Sequence, residues 1–339
     1  MWKELVEGRR RHGLREYTRR WLSRQADRFR HGVGAREVVR ALRAAGVGPG
    51  AVVSVHSSLS RLGYVKGGAE GMVDALLEAM GASGTVLMPS FPMAGPMAEY
   101  LDAGVPCDVR YTPSASGAVT EAFRRRPGVR RSLHPTNPVC AHGPAADALL
   151  AGHERSLTPF GDETPYGRLA RRDDAYIVMI ETHIHSFLHH VQERIGLPTL
   201  FFPGDRAAAV IDAGGIRREI RTRVMRGYPS YFFAVPGAAG GEPEWVEIRD
   251  VVVIYPTRRE REVRELGYSF AGYPEAWGHR RELERRGILR VAPLGRGELG
   301  VLQVRPFVDA VVPELAALLD RYRDRYDPDR LLTLGKPIR

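Results

Sequence analysis

Four of the chain's eleven histidines, His183, His185, His189 and His190, lie between the carboxylates Glu181 and Glu193. An imidazole beside a carboxylate makes a general base near neutral pH, because the carboxylate fixes the ring's tautomer and raises its basicity. On a helix His190 stands three residues before Glu193 and His189 four, so either ring can share a face with it. The stretch also offers imidazoles enough for zinc, His183 and His185 with His189 or His190, which is the reading of a metal-dependent hydrolase. A plainer reading leaves the rings as satisfied core or interface histidines. No second ligand cluster is evident along the chain, so no metal is assigned.

The elements that must position these rings follow from the pattern around them. Tyr176 to Ile180 is a short apolar run, the signature of a buried strand, and Ser186 to Ile195 reads as the start of a helix. The cluster therefore sits where a strand passes into a helix, the usual ligand position of open α/β sheets. A second junction of this kind lies earlier. The strand Ala51 to Val55 runs into His56, Ser57, Ser58, Leu59 and Ser60, and Gly63, Gly67 and Gly68 turn the chain into a helix from Ala69 to Met80. Another strand follows from Gly84 to Phe91. Hydroxyls and backbone N–H groups at a helix N-terminus suit an anion. The spacing is neither a Walker loop nor a dinucleotide fingerprint.

Composition sets the outer bounds. With 339 residues, 43% of them hydrophobic and 27% charged, the chain is globular and large enough for one sizeable α/β domain. The net charge of +10 comes almost wholly from arginine, since lysine occurs only at Lys3, Lys66 and Lys336. Such a charge suits an anionic ligand. Nucleic acid is not expected, because aromatic residues are not interleaved with the arginines as stacking platforms would be. Cys107 and Cys140 are the only cysteines and stand in no redox or metal spacing, which points to a reducing cytoplasm. No stretch has the apolar length of a membrane span and the arginine-rich start lacks a secretory core, so a soluble protein without membrane contact is expected.

Along the rest of the chain, residues 1–33 read as an amphipathic helix carrying Trp2, Leu5, Leu14, Tyr17 and Trp21, laid across the body or a neighbouring subunit, which leaves a homodimer open. Residues 34–339 read as a single domain with a β-rich part over 203–305. Ala35 to Ala45 is expected as a helix, as are Thr112 to Arg126 and Gly143 to Leu150. Pro135 and Pro138 keep the segment Arg130 to Val139 extended. Paired strands are expected over Gly204 to Arg223, and further strands over Val246 to Tyr255, Gly287 to Leu294 and Gly300 to Val304. Val308 to Tyr326 reads as a closing helix, and Tyr268 to Tyr273 as a cover for the site.

The order of these segments carries a resemblance. His56 to Ser60 with Gly63, Gly67 and Gly68, then Gly84 to Phe91, then Arg131 to Pro135, then Pro159 to Tyr166, then His190, Val191, Gln192 and Glu193 resemble the aminoglycoside 3-N-acetyltransferase family. The match runs from about Ala35 to Leu200. It implies an α/β fold of that family's own type, a central mixed sheet flanked by helices with a smaller β-rich C-terminal part. It implies transfer of an acetyl group from acetyl-CoA, as co-substrate, to a small-molecule amine. His56, Ser57, Ser58, Leu59, Ser60, Val65, Lys66 and Gly67 would hold the coenzyme with help from Arg131 and Ser132. The front of the family's histidine motif fits His189 and its back fits His190, so both stand as candidate bases with Glu193. This chain departs from the pattern at Pro138 and Thr164, where serines are common, and in carrying His183 and His185.

The chemistry expected is direct attack. An amine must shed a proton before it can attack a thioester, and a general base contributes about 10²- to 10⁴-fold to such a step. Cys140 is the alternative nucleophile, set against a buried structural role. Asp162, Glu163, Glu181, His183 and His185 are the residues expected around the amine, although the basic character of the chain favours an amine other than a polycation.

Overall fold

The computed structural model describes residues 32–182, 185–197, 200–225, 232–235, 244–247 and 283–322. The expected helix before residue 32, the cover at Tyr268 to Tyr273 and the ring of His183 lie outside the described residues.

The apolar alternation of three strands explains the core. In β1 (Val52–Ser57), β2 (Thr85–Pro89) and β6 (Ala175–Ile180), successive side chains point to opposite faces, and both faces of the sheet carry buried apolar residues. Val53, Val55, Val86, Met88, Val178 and Ile180 pack on one side against Val38 and Leu42 of α1 (Ala35–Ala44), Met72 and Leu76 of α3 (Gly68–Met80) and Phe123 of α5 (Ala118–Arg124). Val52, Leu87, Ile177 and Met179 pack on the other against Leu149 of α6 (Ala146–Leu150), Tyr166 of α7 (Pro165–Ala170), Phe187 and Val191 of α8 (Phe187–Arg194) and Phe307 of α9 (Val304–Tyr322). A sheet covered by helices on both faces is the arrangement such strands demand. Burying a side chain like Phe187 contributes about 1.5–3 kcal/mol.

The main sheet has seven strands in the order β11-β12-β6-β1-β2-β5-β4, where β4 is Arg130–Arg131, β5 Val139–His142, β11 Leu289–Leu294 and β12 Gly297–Gln303. β6, β1 and β2 run parallel, while β5, β4, β12 and β11 pair antiparallel. The sheet is mixed, as the resemblance implied. In the register of β1 and β6, His56 faces Met179 and Ser57 faces Ile180. The carboxyl ends of the two strands therefore finish together.

One segment departs from expectation. The helix expected from Thr112 begins only at Ala118, since Pro113 restricts Thr112 and Gly117 takes the left-handed φ of 119°. Glu121 then accepts the Ser114 N–H at 2.8 Å and closes the turn. The stretch over 203–305 is β-rich among its described residues, and its strands fall into three sheets. β7 (Arg206–Ile211) and β8 (Arg217–Thr222) form a small sheet with β3 (Cys107–Asp108), and β9 (Phe232–Val235) pairs with β10 (Glu244–Glu247). β11 and β12, by contrast, extend the main sheet beside β6. Leu289 and Leu302 join the core on one face of the sheet, and Ala292, Leu299 and Val301 the core on the other.

Candidate active site

His190 sits on the inner face of α8, fully buried, between Phe187 and the loop that precedes α7. Its Nδ1 lies 2.7 Å from the carbonyl oxygen of Phe160. A carbonyl can only accept, so Nδ1 carries the proton and Nε2 holds the free lone pair. Nε2 has no hydrogen-bond partner, and the nearest charge to it is the Asp162 carboxylate at 4.0 Å. Burial lowers the affinity of His190 for a proton, and the positive fields of Arg194 and Arg171 act in the same direction; the Phe160 carbonyl and Asp162 oppose them. The result is a neutral imidazole with one basic nitrogen turned toward an exposed carboxylate.

The loop holding the Phe160 carbonyl is pinned at four successive carbonyls. Ser156 Oγ donates to Thr158 O at 2.7 Å, His153 Nε2 to Pro159 O at 3.2 Å, His190 Nδ1 to Phe160 O, and Thr164 Oγ1 to Gly161 O at 2.6 Å. Thr164 also caps α7, with Pro165 at the first helical position. His153 is in turn held by Ser132, whose hydroxyl donates to Nδ1 at 2.8 Å while accepting the Val139 N–H at 2.9 Å. Its ring stacks on that of His134 at 4.6 Å. His134 Nδ1 accepts the Asn137 N–H at 3.0 Å, so its Nε2 faces Thr222 Oγ1 as a donor at 3.3 Å. Burial holds His153 down at about 3 and His134 well below its ordinary range, and both stay neutral. Neither ring was singled out from the sequence, where His134 stood only within the segment Arg131 to Pro135.

Glu193 occupies a different place from the one its spacing suggested. The Phe160 carbonyl, not Glu193, holds His190 Nδ1, and Glu193 Oε1 accepts the hydroxyl of Thr158 instead. Its Oε2 is buried without a partner, and burial raises the carboxyl above the usual range. Gly161 permits this close approach, since a Cβ there would lie 2.9 Å from Glu193 Oε1 and 2.8 Å from Thr158 Oγ1. His189 is set aside by its own contacts. Its Nδ1 bonds Gln192 Oε1 at 2.9 Å, and its ring lies 4.7 Å from that of Phe160.

β1 brings the second motif to the same end of the sheet. Val52, Ser54 and His56 share the face toward α8, so the apolar pattern gives way to polar residues there and culminates in His56. Its ring centroid is 6.1 Å from that of His185, which is buried against Phe187 and Phe307. Desolvation first, then the fields of His185 and His189, hold His56 down at about 3. Ser58 N donates to Ile180 O at 2.9 Å and stitches the serine loop to the end of β6. Ser58 precedes the short helix α2 (Leu59–Leu62), Ser60 and Lys66 are exposed, and Gly67 in the left-handed region opens α3. Val65 and Lys66 pair with Val33, which fixes the loop's path across the top of α1. Hydroxyls, one ammonium and the N-terminus of a thirteen-residue helix are thus presented together.

Other expected residues are committed elsewhere. The Arg131 guanidinium donates to the carbonyls of Thr112 and Ser90, and Ser132 is buried against His153, so both side chains hold the fold together. Glu163 pairs with Arg168 at 3.4 Å and Arg171 at 3.7 Å. Glu181 adopts a φ of 50°, strained for a residue with a side chain, and its Oε1 accepts the Glu298 N–H at 2.7 Å. Gly297 leaves room for that carboxylate. Cys140 is buried in β5, and desolvation pushes its thiol up to about 11, the wrong direction for a nucleophile. Among the described residues no group of three or more His, Cys, Asp or Glu is placed to hold a metal ion, so the hydrolase reading has no site there. Among the same residues no helix is long and apolar enough to cross a membrane.

Comparison with known proteins bears directly on these features. The sequence model described as aminoglycoside 3-N-acetyltransferase matches residues 55–316. The chain belongs to the aminoglycoside 3-N-acetyltransferase family. It is 31% identical over 207 residues to aminoglycoside N(3)-acetyltransferase VIII of Streptomyces fradiae, covering 57% of this chain and 72% of that one. It is 30% identical over 196 residues to aminoglycoside N(3)-acetyltransferase VII of Streptomyces paromomycinus, covering 54% and 68%. Among solved structures, aminoglycoside acetyltransferase AAC(3)-Xa superposes with a TM-score of 0.60 at 24% identity, over 86% of this chain and 96% of the other. AAC-IIIb in its binary complex with CoASH gives 0.58 at 18% identity, over 86% and 98%. Those two structures share the fold. As a member of the aminoglycoside 3-N-acetyltransferase family the protein is an N-acetyltransferase, and acetyl-CoA is its co-substrate.

Proposed function

We propose that the protein moves an acetyl group from acetyl-CoA to a primary amine of a sugar-like acceptor, with His190 as the general base. The observation that carries this reading is the Nε2 of His190, buried, free of hydrogen bonds and 4.0 Å from Asp162. The amine arrives as an ammonium and settles on the Asp162 carboxylate. Nε2 takes one of its protons, and the freed lone pair attacks the thioester carbon. The carbon–sulfur bond then breaks, the nitrogen sheds its second proton to solvent and is left as a neutral amide, and the sulfur leaves as the coenzyme thiolate, which takes up the proton held by His190. No acyl-enzyme is needed.

The residues from Ser57 to Gly67 are assigned to the coenzyme, because they lie at the carboxyl end of β1, beside the end of β6 that leads to His185 and α8. In this reading Asp162 replaces Glu163 and Glu181 as the acid that meets the amine. Glu193 acts through Thr158 on the loop that carries Phe160, and the neutral His56, with the ring of His185 beside it, forms the floor between coenzyme and base. The names of the Streptomyces relatives give aminoglycosides as their acceptors, and solved neighbours of similar fold were determined with apramycin and sisomicin.

The test is release of coenzyme thiol from acetyl-CoA against a panel of amines, on wild type and on His190→Ala and Asp162→Asn. Thiol release that needs an amine and collapses in His190→Ala supports the assignment. Undiminished release in His190→Ala removes His190 as the base.

A further inference from the structure

The surroundings of His190 carry an unusual balance of charge for an enzyme that binds an amine. Asp162 is exposed and faces Nε2, but its neighbour Glu163 is already shared by Arg168 and Arg171. Glu193 is half-buried and bonded to Thr158. Against this single available carboxylate stand several guanidinium groups. Arg194 lies four residues beyond His190 on α8, one turn along the same face, and is exposed. Arg223 is also exposed, and its backbone N–H donates to Leu157 O at 2.7 Å, which fixes it beside Thr158. Among the described residues neither has an acidic partner, whereas Arg218 and Arg221, just upstream of Arg223, pair with Asp212 at 2.7 Å and Asp205 at 2.8 Å. The fields of Arg194 and Arg171 reach His190, and that of Arg223 reaches Glu193, one helical turn from the base.

A polycation brought to such a site gains one ion pair and meets two guanidinium charges, Arg194 and Arg223, that no carboxylate among the described residues offsets. An acceptor that carries its own anion reverses that balance. We propose that the acceptor is a zwitterion, an amino sugar or comparable amine bearing a phosphate or carboxylate, with its ammonium on Asp162 and its anionic group on Arg194 and Arg223. This narrows the acyl-transfer reading above and rests on it. Exposed pairs are individually weak, yet guanidinium groups bind phosphate and carboxylate oxygens through two parallel hydrogen bonds, which adds geometric selection to charge.

The experiment compares matched acceptors in the thiol-release assay: glucosamine, glucosamine 6-phosphate, muramic acid and the polycation sisomicin. The expected result is a kcat/KM at least tenfold higher for one of the two anionic amino sugars than for glucosamine, and higher still relative to sisomicin. Arg194→Gln and Arg223→Gln should each shrink that ratio severalfold, through the KM of the acceptor, and Arg194→Lys should retain most of it. A ratio of one, or a preference for sisomicin, overturns the proposal while leaving acyl transfer intact. So does an unchanged ratio in both glutamine variants with a raised KM for acetyl-CoA, which would assign the two arginines to the coenzyme. Absence of thiol release with every amine would instead remove the acyl-transfer reading on which the proposal stands.

Discussion

The Phe160 carbonyl oxygen lies 2.7 Å from His190 Nδ1, on a loop thirty residues earlier in the chain. That contact decides which nitrogen of the ring is basic. A backbone carbonyl cannot take the proton away or lose its polarity, so the tautomer is fixed whatever the state of nearby carboxylates. The base is therefore set by the path of a loop, and the loop by the side chains that grip its carbonyls.

His190→Ala should lower kcat/KM for the amine by about 10²- to 10⁴-fold, the usual contribution of a general base. The KM for acetyl-CoA should change little, because the coenzyme is assigned to the serine loop of β1. His189→Ala should cost less than tenfold, since its ring packs at a tilt against Phe160 and its Nδ1 bonds Gln192. Steady-state kinetics on both variants check this. Equal losses in the two would contradict the assignment.

The pH profile should carry the mark of burial. Desolvation lowers the pKa of His190, and a base works only in its neutral form, so the acid limb of kcat/KM should fall below the ordinary histidine value of 6.5. Asp162 opposes the shift, so Asp162→Asn should move the limb to still lower pH and raise the KM of the amine. Rates measured between pH 5 and 8 at saturating acetyl-CoA give both quantities. An inflection above 6.5 would show that another group is the base.

Thr158→Val tests whether Glu193 acts through the loop. The variant strips the Glu193 carboxylate of its one hydroxyl donor and leaves both oxygens unpartnered, at a cost of about 1–3 kcal/mol. Glu193→Gln keeps the shape and can still accept from Thr158 through its amide oxygen. Urea unfolding should therefore rank Thr158→Val as less stable than Glu193→Gln, and activity should follow the same order. The reverse order would return Glu193 to direct contact with the chemistry.

Much of this architecture was legible in the residues themselves. The alternation of Val52 to Val55 and of Ile177 to Ile180 marks strands covered on both faces, and the polar break at Ser54 and His56 marks where one face opens. Placing His190 beside an acid by spacing alone was half right, because helical periodicity shows which residues share a face but not which partner wins. Glu193 is drawn off by Thr158, thirty-five residues away in sequence. The Phe160 carbonyl was out of reach for a similar reason, since any residue supplies the same backbone oxygen. Arg131 and Ser132 looked like ligand donors by type, yet at the end of the edge strand Arg131 meets backbone carbonyls and Ser132 an imidazole in the interior.

The buried histidines give a last, separate prediction. His56 and His153 are held at about 3 in the folded protein and His134 well below its ordinary value, in each case chiefly by desolvation, against 6.5 for a free side chain. Between those values the unfolded chain binds protons that the folded one does not, so stability rises with pH there and drains away as pH falls from about 6.5 toward 3. Each such group steepens the decline by up to about 1.4 kcal/mol per pH unit. Urea midpoints should hold between pH 8 and 7 and then drop steadily through pH 6, 5 and 4.5. His153→Gln, which keeps an amide donor for Pro159 O and an acceptor for Ser132, removes one titrating group. Its midpoint should start lower and fall less steeply. A midpoint flat from pH 7.5 to 4.5 would mean that these rings are reached by water and protons in the folded state, and the pinned loop that holds His190 would lose its support.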